Sequence, residues 1–189
     1  MLILYLPILI DCAITNDLIW FFYYLSFWGM LISFFSIVSS IKAAKYPEWQ
    51  STAMISSECS ACLNLFITPF FWIVLAPNIF KNMGWSGYDL YMRVHMTVIH
   101  TLPLVSTLIN VLLTDMILLK KDWKLMIVLG IIYVFANFLG VYDSGMPLYP
   151  VLDWNNVFHT LFCFICIITI KTSLYYLIAM MIEKFKRNS

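Results

Sequence analysis

The sequence contains few charged residues. Aspartate, glutamate, lysine and arginine make up 11% of its 189 residues, whereas a soluble domain has roughly 25%. Hydrophobic residues make up 62%, so polar groups could not cover a folded surface in water. A protein surrounded by lipid does not need polar groups to cover its surface. The composition therefore argues against an ordinary soluble domain and predicts an integral membrane protein.

Two further absences narrow the possible functions. The net charge is +1 and no basic cluster occurs, so nothing favours nucleic-acid binding. The N-terminus lacks a basic segment and Asp11 interrupts its apolar run, which argues against a cleaved signal peptide. No repeat or linker divides the chain, so residues 1–189 are expected to form a single multi-pass membrane domain.

The apolar stretches predict an all-α fold, an integral membrane bundle of six transmembrane helices joined by short loops. They cover residues 2–14, 18–41, 59–75, 94–113, 125–141 and 157–182. A span needs about 20 residues to cross a hydrocarbon core of about 30 Å, so the first span, with about 13, is short. Residues 47–57 are expected to form an interfacial helix on the inner face.

The basic residues predict the orientation of the bundle, because cytosolic loops carry an excess of lysine and arginine. With the C-terminus in the cytosol, eight of the eleven basic residues lie inside, only Lys81 and Arg93 lie outside, and Lys171 falls within the sixth span. The eight are Lys42, Lys45, Lys120, Lys121, Lys124, Lys184, Lys186 and Arg187. The endoplasmic reticulum or another endomembrane is the expected location, with the mitochondrial inner membrane as the alternative.

Two polar side chains fall inside the predicted spans at similar depth. Ser26 lies about 13 Å into the second span and His100 about 10 Å into the fourth, at helical rise. A serine beside a histidine base is a minimal nucleophilic pair for acyl transfer. This pattern predicts Ser26 as nucleophile and His100 as general base. The alternative for Ser26 is a hydrogen bond from its hydroxyl to a carbonyl of its own helix.

Other polar residues on the outer side are expected to surround this pair. Thr101 and Asn137 are candidate donors to an oxyanion. Ser144 and Tyr149, with the asparagines at 155–156, are candidates for a polar mouth through which water reaches the site.

Histidine and cysteine form weaker patterns. His95 and His159 also fall on the outer side, but no His-x-x-x-His spacing or carboxylate partner accompanies them, so no metal and no cofactor is predicted. Two C-x-x-C pairs occur, at residues 59–62 and 163–166. Their expected depths differ, and cysteine also packs as a small hydrophobe.

Three of these elements together resemble the androgen-induced-gene/ADTRP family of multi-pass membrane hydrolases. Tyr-Leu-Ser-Phe at 24–27 is similar to the family's Leu-Thr-Phe element, and Ile-His-Thr at 99–101 is similar to its Met-His-Thr element. The stretch 141–150, with its Gly, Met, Tyr and Pro, is similar to the family's stretch ending Thr-Gly-Met-Trp-Val-Tyr-Pro. The likeness covers residues 23–182.

The resemblance implies a serine/threonine-type hydrolase of fatty acid esters of hydroxy fatty acids, which acts on a lipid ester within the bilayer. Ser26 stands where the family has its threonine nucleophile, and His100 stands at the family's base. The family's second histidine, three residues before the base, is displaced to His95, and the first span is shorter. The alternative is a non-catalytic subunit or scaffold that keeps the family fold and binds partner subunits in a larger membrane complex.

Overall fold

The structure is a computed structural model that describes residue 10 and residues 22–114, 118–149 and 151–188. Over these ranges the chain is helical, without a strand. Five helices are long and apolar enough to cross a membrane, which confirms the predicted all-α, multi-pass architecture. The first predicted span, residues 2–14, lies outside the described residues except for Ile10.

Six α-helices make up most of the described chain. They are α1 (Leu25–Ala43), α2 (Gln50–Phe70), α3 (Ala76–Lys81), α4 (Gly87–Leu113), α5 (Trp123–Ser144) and α6 (Val157–Asn188). A 3-10 turn, Pro47–Trp49, leads into α2, and a second, Lys120–Asp122, leads into α5. A π-helical segment, Phe71–Leu75, joins α2 to α3, so Pro47–Lys81 is one continuous span. We call the end of the bundle at which α1 begins the outer end.

Residues 47–57 do not form the separate interfacial helix that their polarity predicted. They are the first turns of the span Pro47–Lys81, which is 35 residues long. The hydroxyl oxygens of Ser57 and Ser36 share a hydrogen bond at 2.7 Å, and those of Ser56 and Ser39 share one at 2.9 Å. The serines that suggested a water-facing helix are therefore satisfied by partners on α1 inside the bundle.

A seam of small polar side chains joins α1, α2 and α4. We call it the polar seam; its members are Ser33, Ser36, Ser39, Ser56, Ser57, Ser60, Asn64, Thr107 and Asn110. Lipid offers no hydrogen-bond partners, so polar groups within a membrane must be satisfied inside the protein. Small residues also let helix backbones approach closely. The seam therefore provides both the hydrogen bonds and the close packing of this three-helix core.

The central layer of the polar seam links all three helices. Ser33 Oγ lies 2.6 Å from Ser60 Oγ and 3.3 Å from Thr107 Oγ1. The Asn64 amide donates to Ser33 Oγ at 2.8 Å and to the carbonyl of Gly29 at 3.2 Å. Gly29 is needed here because a Cβ at this position would lie only 2.5 Å from Asn64 Oδ1.

The helices α5 and α6 pack against this core at both of its ends. Near the inner end, an apolar cluster includes Met126 and Tyr175, and the Tyr175 hydroxyl donates to the carbonyl of Leu119 at 3.0 Å. Glu58 on α2 accepts the N–H of Leu119 at 2.8 Å. These two bonds fix the start of the α5 segment against α2 and α6.

The π-helical segment lies between two prolines of the same span, Pro69 and Pro77. Proline lacks an N–H and its ring clashes with the carbonyl four residues earlier. For Pro77 that carbonyl belongs to Ile73, inside the segment Phe71–Leu75. Wider π-helical turns are frequent at functional sites, so the segment directs attention to the outer part of the bundle.

The close approach at Gly29 generates a stability prediction. Gly29→Ala should destabilise the bundle by about 1–3 kcal/mol, the usual cost of overpacking a well-filled core. The added methyl group would meet Asn64 Oδ1 at 2.5 Å and Ile67 Cδ1 at 2.8 Å. The measurement is the midpoint of thermal unfolding in detergent. Phe35→Ala, at an exposed position on the same helix, is the control, and an equal effect of both variants would contradict the seam's role.

The order of the spans generates a topology prediction. Consecutive spans run in opposite directions, so residues 118–122 and the C-terminus should lie on one side of the membrane. Membrane-impermeant maleimide should therefore label Lys121→Cys and Ser189→Cys from the same side, and Ser86→Cys from the opposite side. Wild-type protein, with its five natural cysteines, gives the background. Labelling of Lys121→Cys and Ser189→Cys from different sides would rule out this arrangement.

Candidate active site

The polar seam brings Ser26 and His100 to the same level of the bundle. The two helices α1 and α4 run in the same direction, because a single span running the other way separates them. Ser26 precedes Ser33 by seven residues, and His100 precedes Thr107 by seven. Both therefore lie two helical turns, about 10 Å, outward from the Ser33–Thr107 pair. The matched depth that the sequence predicted thus follows from the register of the two helices.

Ser26 and His100 line one cavity at this level. Its volume is about 650 Å³, within the roughly 300–1,000 Å³ of small-molecule sites. Most of the lining is apolar; the polar exceptions are Tyr24, Ser26, Asn78, His95, His100 and Tyr149. A smaller space of about 50 Å³ is also lined by Ser26 and His100, and it reaches Tyr133 and Ile167 behind them. The shared pocket that the sequence predicted is present.

The Ser26 hydroxyl makes no hydrogen bond to any residue that the structure describes. Ser26 is 9% exposed, and it lies on the same helix as seam serines that all have partners. The carbonyl of Phe22, four residues earlier, accepts the indole N–H of Trp28 at 2.9 Å. The Ser26 hydroxyl therefore does not bond to a carbonyl of its own helix, and Ser26 lines the cavity.

The His100 imidazole is held in one orientation. Its Nδ1 lies 2.7 Å from the carbonyl oxygen of Met96, and a carbonyl can only accept, so Nδ1 carries the proton. In the neutral ring Nε2 then has a free lone pair and can act as a base. The ring stacks on Phe71 with centroids 3.7 Å apart and planes 7° apart. Thr68 donates to the backbone carbonyl of His100 at 2.5 Å, which ties this turn of α4 to α2.

No hydrogen bond joins Ser26 to His100 among the contacts of the described chain. The structure brings the two side chains to one cavity without forming a resting dyad. Catalytic hydrogen bonds are often long in ligand-free enzymes and tighten when substrate binds. The roles of nucleophile and base stay predictions.

Tyr149 lies beside the candidate nucleophile rather than at an outer mouth. Its hydroxyl accepts the N–H of Leu25 at 3.2 Å, and its ring meets that of Tyr24 edge to face at 5.9 Å. The hydroxyls of Tyr149 and Tyr133 also form a side-chain hydrogen bond with each other. Burial raises the pKa of Tyr149 to about 12, so the group keeps its proton at neutral pH.

Three other predicted residues do not line the cavity. Thr101 accepts the indole N–H of Trp72 at 3.1 Å. Asn137 is fully buried, and its Oδ1 accepts the indole N–H of Trp154 at 2.9 Å. Ser144 bonds to the backbone two residues later, where α5 ends. The donor atom Nδ2 of Asn137 is buried without a hydrogen-bond partner in the described chain. The roles of the three as oxyanion donors or mouth residues stay predictions.

The asparagines at 155–156 also have structural roles. Asn156 Oδ1 accepts the N–H of His159 at 3.1 Å and so caps the start of α6. Asn155 donates to the Asp153 carboxylate at 2.8 Å.

Sequence reasoning missed three residues that line the large cavity: Phe71, Asn78 and His95. In the sequence Phe71 is one of many apolar residues, and only the structure shows that its ring stacks on His100. Asn78 follows Pro77 near the outer end of its span, a pattern that suggests only a helix end. The sequence places His95 only on the outer side, whereas in the structure it precedes His100 by five residues on the same helix and lines the same cavity.

The described residues contain no group of three or more histidine, cysteine, aspartate or glutamate side chains arranged to hold a metal ion.

Comparison with known proteins identifies no relative of this chain. No protein-family model matches it, and no curated protein or solved structure does so either. The resemblance to the androgen-induced-gene/ADTRP family, which depends on three short sequence elements, stays a prediction.

Proposed function

We propose that this protein is an intramembrane hydrolase of lipid esters that uses Ser26 as nucleophile and His100 as general base. The observation that carries the proposal is the shared cavity, into which an unpaired serine hydroxyl and an imidazole with a free Nε2 both face. Polar groups within a membrane are costly to keep there, and Ser26 offers its hydroxyl to a cavity without a hydrogen-bond partner in the described chain, which favours a functional reason for it.

In the proposed reaction, Ser26 Oγ attacks the ester carbonyl while His100 Nε2 takes the hydroxyl proton. The new bond joins Oγ to the acyl carbon. The ester carbon–oxygen bond then breaks, and the leaving alkoxide takes the proton from His100. Water, activated by the same imidazole, releases the acid and restores Ser26. The Met96 carbonyl and the Phe71 ring keep the imidazole oriented through both proton transfers.

Tyr149 is the best-placed donor to the negatively charged oxygen that develops on the attacked carbonyl. Its hydroxyl is anchored on the N–H of Leu25, next to Ser26 in the chain, and it lines both cavities. Its raised pKa of about 12 keeps it protonated, and donation to the oxygen would compete with its hydrogen bond to Tyr133. Asn78, which makes no hydrogen bond within the described chain, could supply a second donor from α3.

The predicted substrate class comes from the family resemblance: fatty acid esters of hydroxy fatty acids. A cavity with a mostly apolar lining and a few polar groups suits an ester that lies within an acyl chain. The same proposal includes a sixth, short N-terminal span, a cytosolic C-terminus and an endomembrane location. The basic residues support this orientation, with eight on the C-terminal side and two on the other.

A series of variants tests the pair. Ser26→Ala and His100→Ala should each abolish covalent labelling by a serine-hydrolase probe and hydrolysis of the lipid ester, because an unassisted hydroxyl is a weak nucleophile. Ser26→Thr should retain activity because it keeps the hydroxyl. The double variant should lose little more than either single one, since paired catalytic residues act as a unit. Ser40→Ala, a half-buried serine on the same helix, is the matched control and should stay active.

Two results would contradict the proposal in different ways. Hydrolysis by Ser26→Ala at the wild-type rate would show that the nucleophile is misassigned. Absence of labelling and turnover in folded wild-type protein, across a panel of lipid esters, would favour the non-catalytic subunit or scaffold. Co-purification of partner subunits would then be the next measurement.

A separate prediction concerns Tyr149. Tyr149→Phe should lower kcat by about 10²–10³-fold, the usual effect of removing one oxyanion donor. Probe labelling should weaken less than with Ser26→Ala, because the nucleophile stays intact. With its pKa at about 12, wild-type Tyr149 should cause no loss of activity between neutral pH and pH 10. Tyr142→Phe, at an exposed tyrosine of α5, is the control. Wild-type kcat in Tyr149→Phe would remove Tyr149 from the mechanism.

A further inference from the structure

A second group of reactive side chains lies at the outer end of α6, apart from Ser26 and His100. Cys163 Sγ is 3.7 Å from Nε2 and 4.0 Å from Nδ1 of His159, one helical turn earlier. This distance is at the limit of a sulfur–nitrogen hydrogen bond and places a proton acceptor next to the thiol. A cysteine beside a histidine is a common arrangement for a reactive thiol.

Cys166 adds a second thiol on the same stripe of the helix. Residues three apart on an α-helix have Cα atoms about 5 Å apart. Disulfides span about 4.4–6.8 Å between Cα atoms and need Cβ atoms about 3.5–4.5 Å apart. Residues three apart on a helix have Cβ atoms about 5–6 Å apart, so a disulfide between Cys163 and Cys166 needs a local shift of this turn of α6. Both cysteines are half-buried, and His159 is exposed. The C-x-x-C pair at 163–166, which the ester hydrolase does not use, thus has a base beside its first thiol.

The surroundings of Cys163 indicate what could react with it. The thiol packs against an apolar cluster that contains Tyr133, Leu152 and Phe164. Tyr133 and Leu152 also line the small cavity behind Ser26. An oxidant that reaches Cys163 must therefore be small or itself apolar. His159, at the exposed end of the same turn, can exchange protons with water.

We propose that His159, Cys163 and Cys166 form a redox-active dithiol site that reduces hydroperoxides at the membrane boundary. Cys163 Sγ attacks the terminal oxygen of the hydroperoxide, so that an S–O bond forms and the O–O bond breaks. The thiol proton passes to His159 and then to the departing alkoxide, which leaves as an alcohol. Cys163 is oxidised to a sulfenic acid as the hydroperoxide is reduced.

Cys166 then completes the cycle. Its sulfur attacks the sulfenic sulfur of Cys163, an S–S bond forms, and the oxygen leaves as water with the proton of the Cys166 thiol. A small uncharged thiol reduces the disulfide by thiol–disulfide exchange and becomes oxidised itself. The site is independent of the proposed ester hydrolase.

The test uses the full chain reconstituted in liposomes and treated either with hydrogen peroxide or with linoleic acid hydroperoxide. Mass spectrometry of the peptide that contains residues 163–166 follows disulfide formation. We expect the disulfide to form in wild-type protein and to disappear on reduction with 2-mercaptoethanol, a small uncharged thiol. Cys166→Ser should stop at the sulfenic acid, trapped by dimedone. His159→Gln should slow oxidation of Cys163 at least about 10-fold, because a positioned base is lost.

Matched controls separate this site from general thiol oxidation. Cys59→Ser removes a half-buried cysteine of α2 and should leave the rate unchanged. Faster oxidation by the lipid hydroperoxide than by hydrogen peroxide would identify the membrane as the source of the oxidant, and the reverse order would identify the aqueous phase. A folded wild-type protein without a 163–166 disulfide would overturn the proposal, as would an unchanged rate in His159→Gln.

Discussion

A polar side chain within the membrane must find its hydrogen-bond partner in the protein, because lipid offers none. The three helices α1, α2 and α4 meet this requirement with the polar seam, in which Ser33, Ser60 and Thr107 form the central layer. A shift of one helix by a single residue would leave several of these groups unpaired. The seam therefore fixes the register of the three helices, and that register places Ser26 level with His100.

The seam ends where the cavity begins. Inward from Gly29, small side chains fill the space between helices; outward, the span Pro47–Lys81 passes through its π-helical segment and a cavity of about 650 Å³ opens. Phe71, the first residue of that segment, stacks on the His100 ring at the boundary. The hydrogen-bonded polar seam thus lies directly inward of the cavity. The seam fixes the level of Ser26 and His100, and the cavity leaves room for a ligand beside them.

The sequence predicted the features that depend on long apolar stretches without charged residues. It located the centres of the five described spans and the common depth of Ser26 and His100. It did not predict that residues 47–57 continue into the next span, because serines that bond across helices have the same composition as serines that face water. It also did not predict the hydrogen-bond partners of Thr101, Asn137 Oδ1 and Ser144, since these partners lie on other turns or other helices. The place of Tyr149 beside Leu25 depends on a contact across 124 residues, which no local pattern encodes.

The π-helical segment gives the span Pro47–Lys81 an unusual sensitivity to length. Each residue turns an α-helix by about 100°. If one residue were lost between Phe71 and Leu75, everything beyond would rotate by roughly that angle, while α2 kept its hold on the seam. Asn78 would leave the cavity wall although no residue that lines it had been substituted. Over evolutionary time, the number of residues in this stretch should therefore be held more strictly than their identities, and insertions should accumulate in the loops instead.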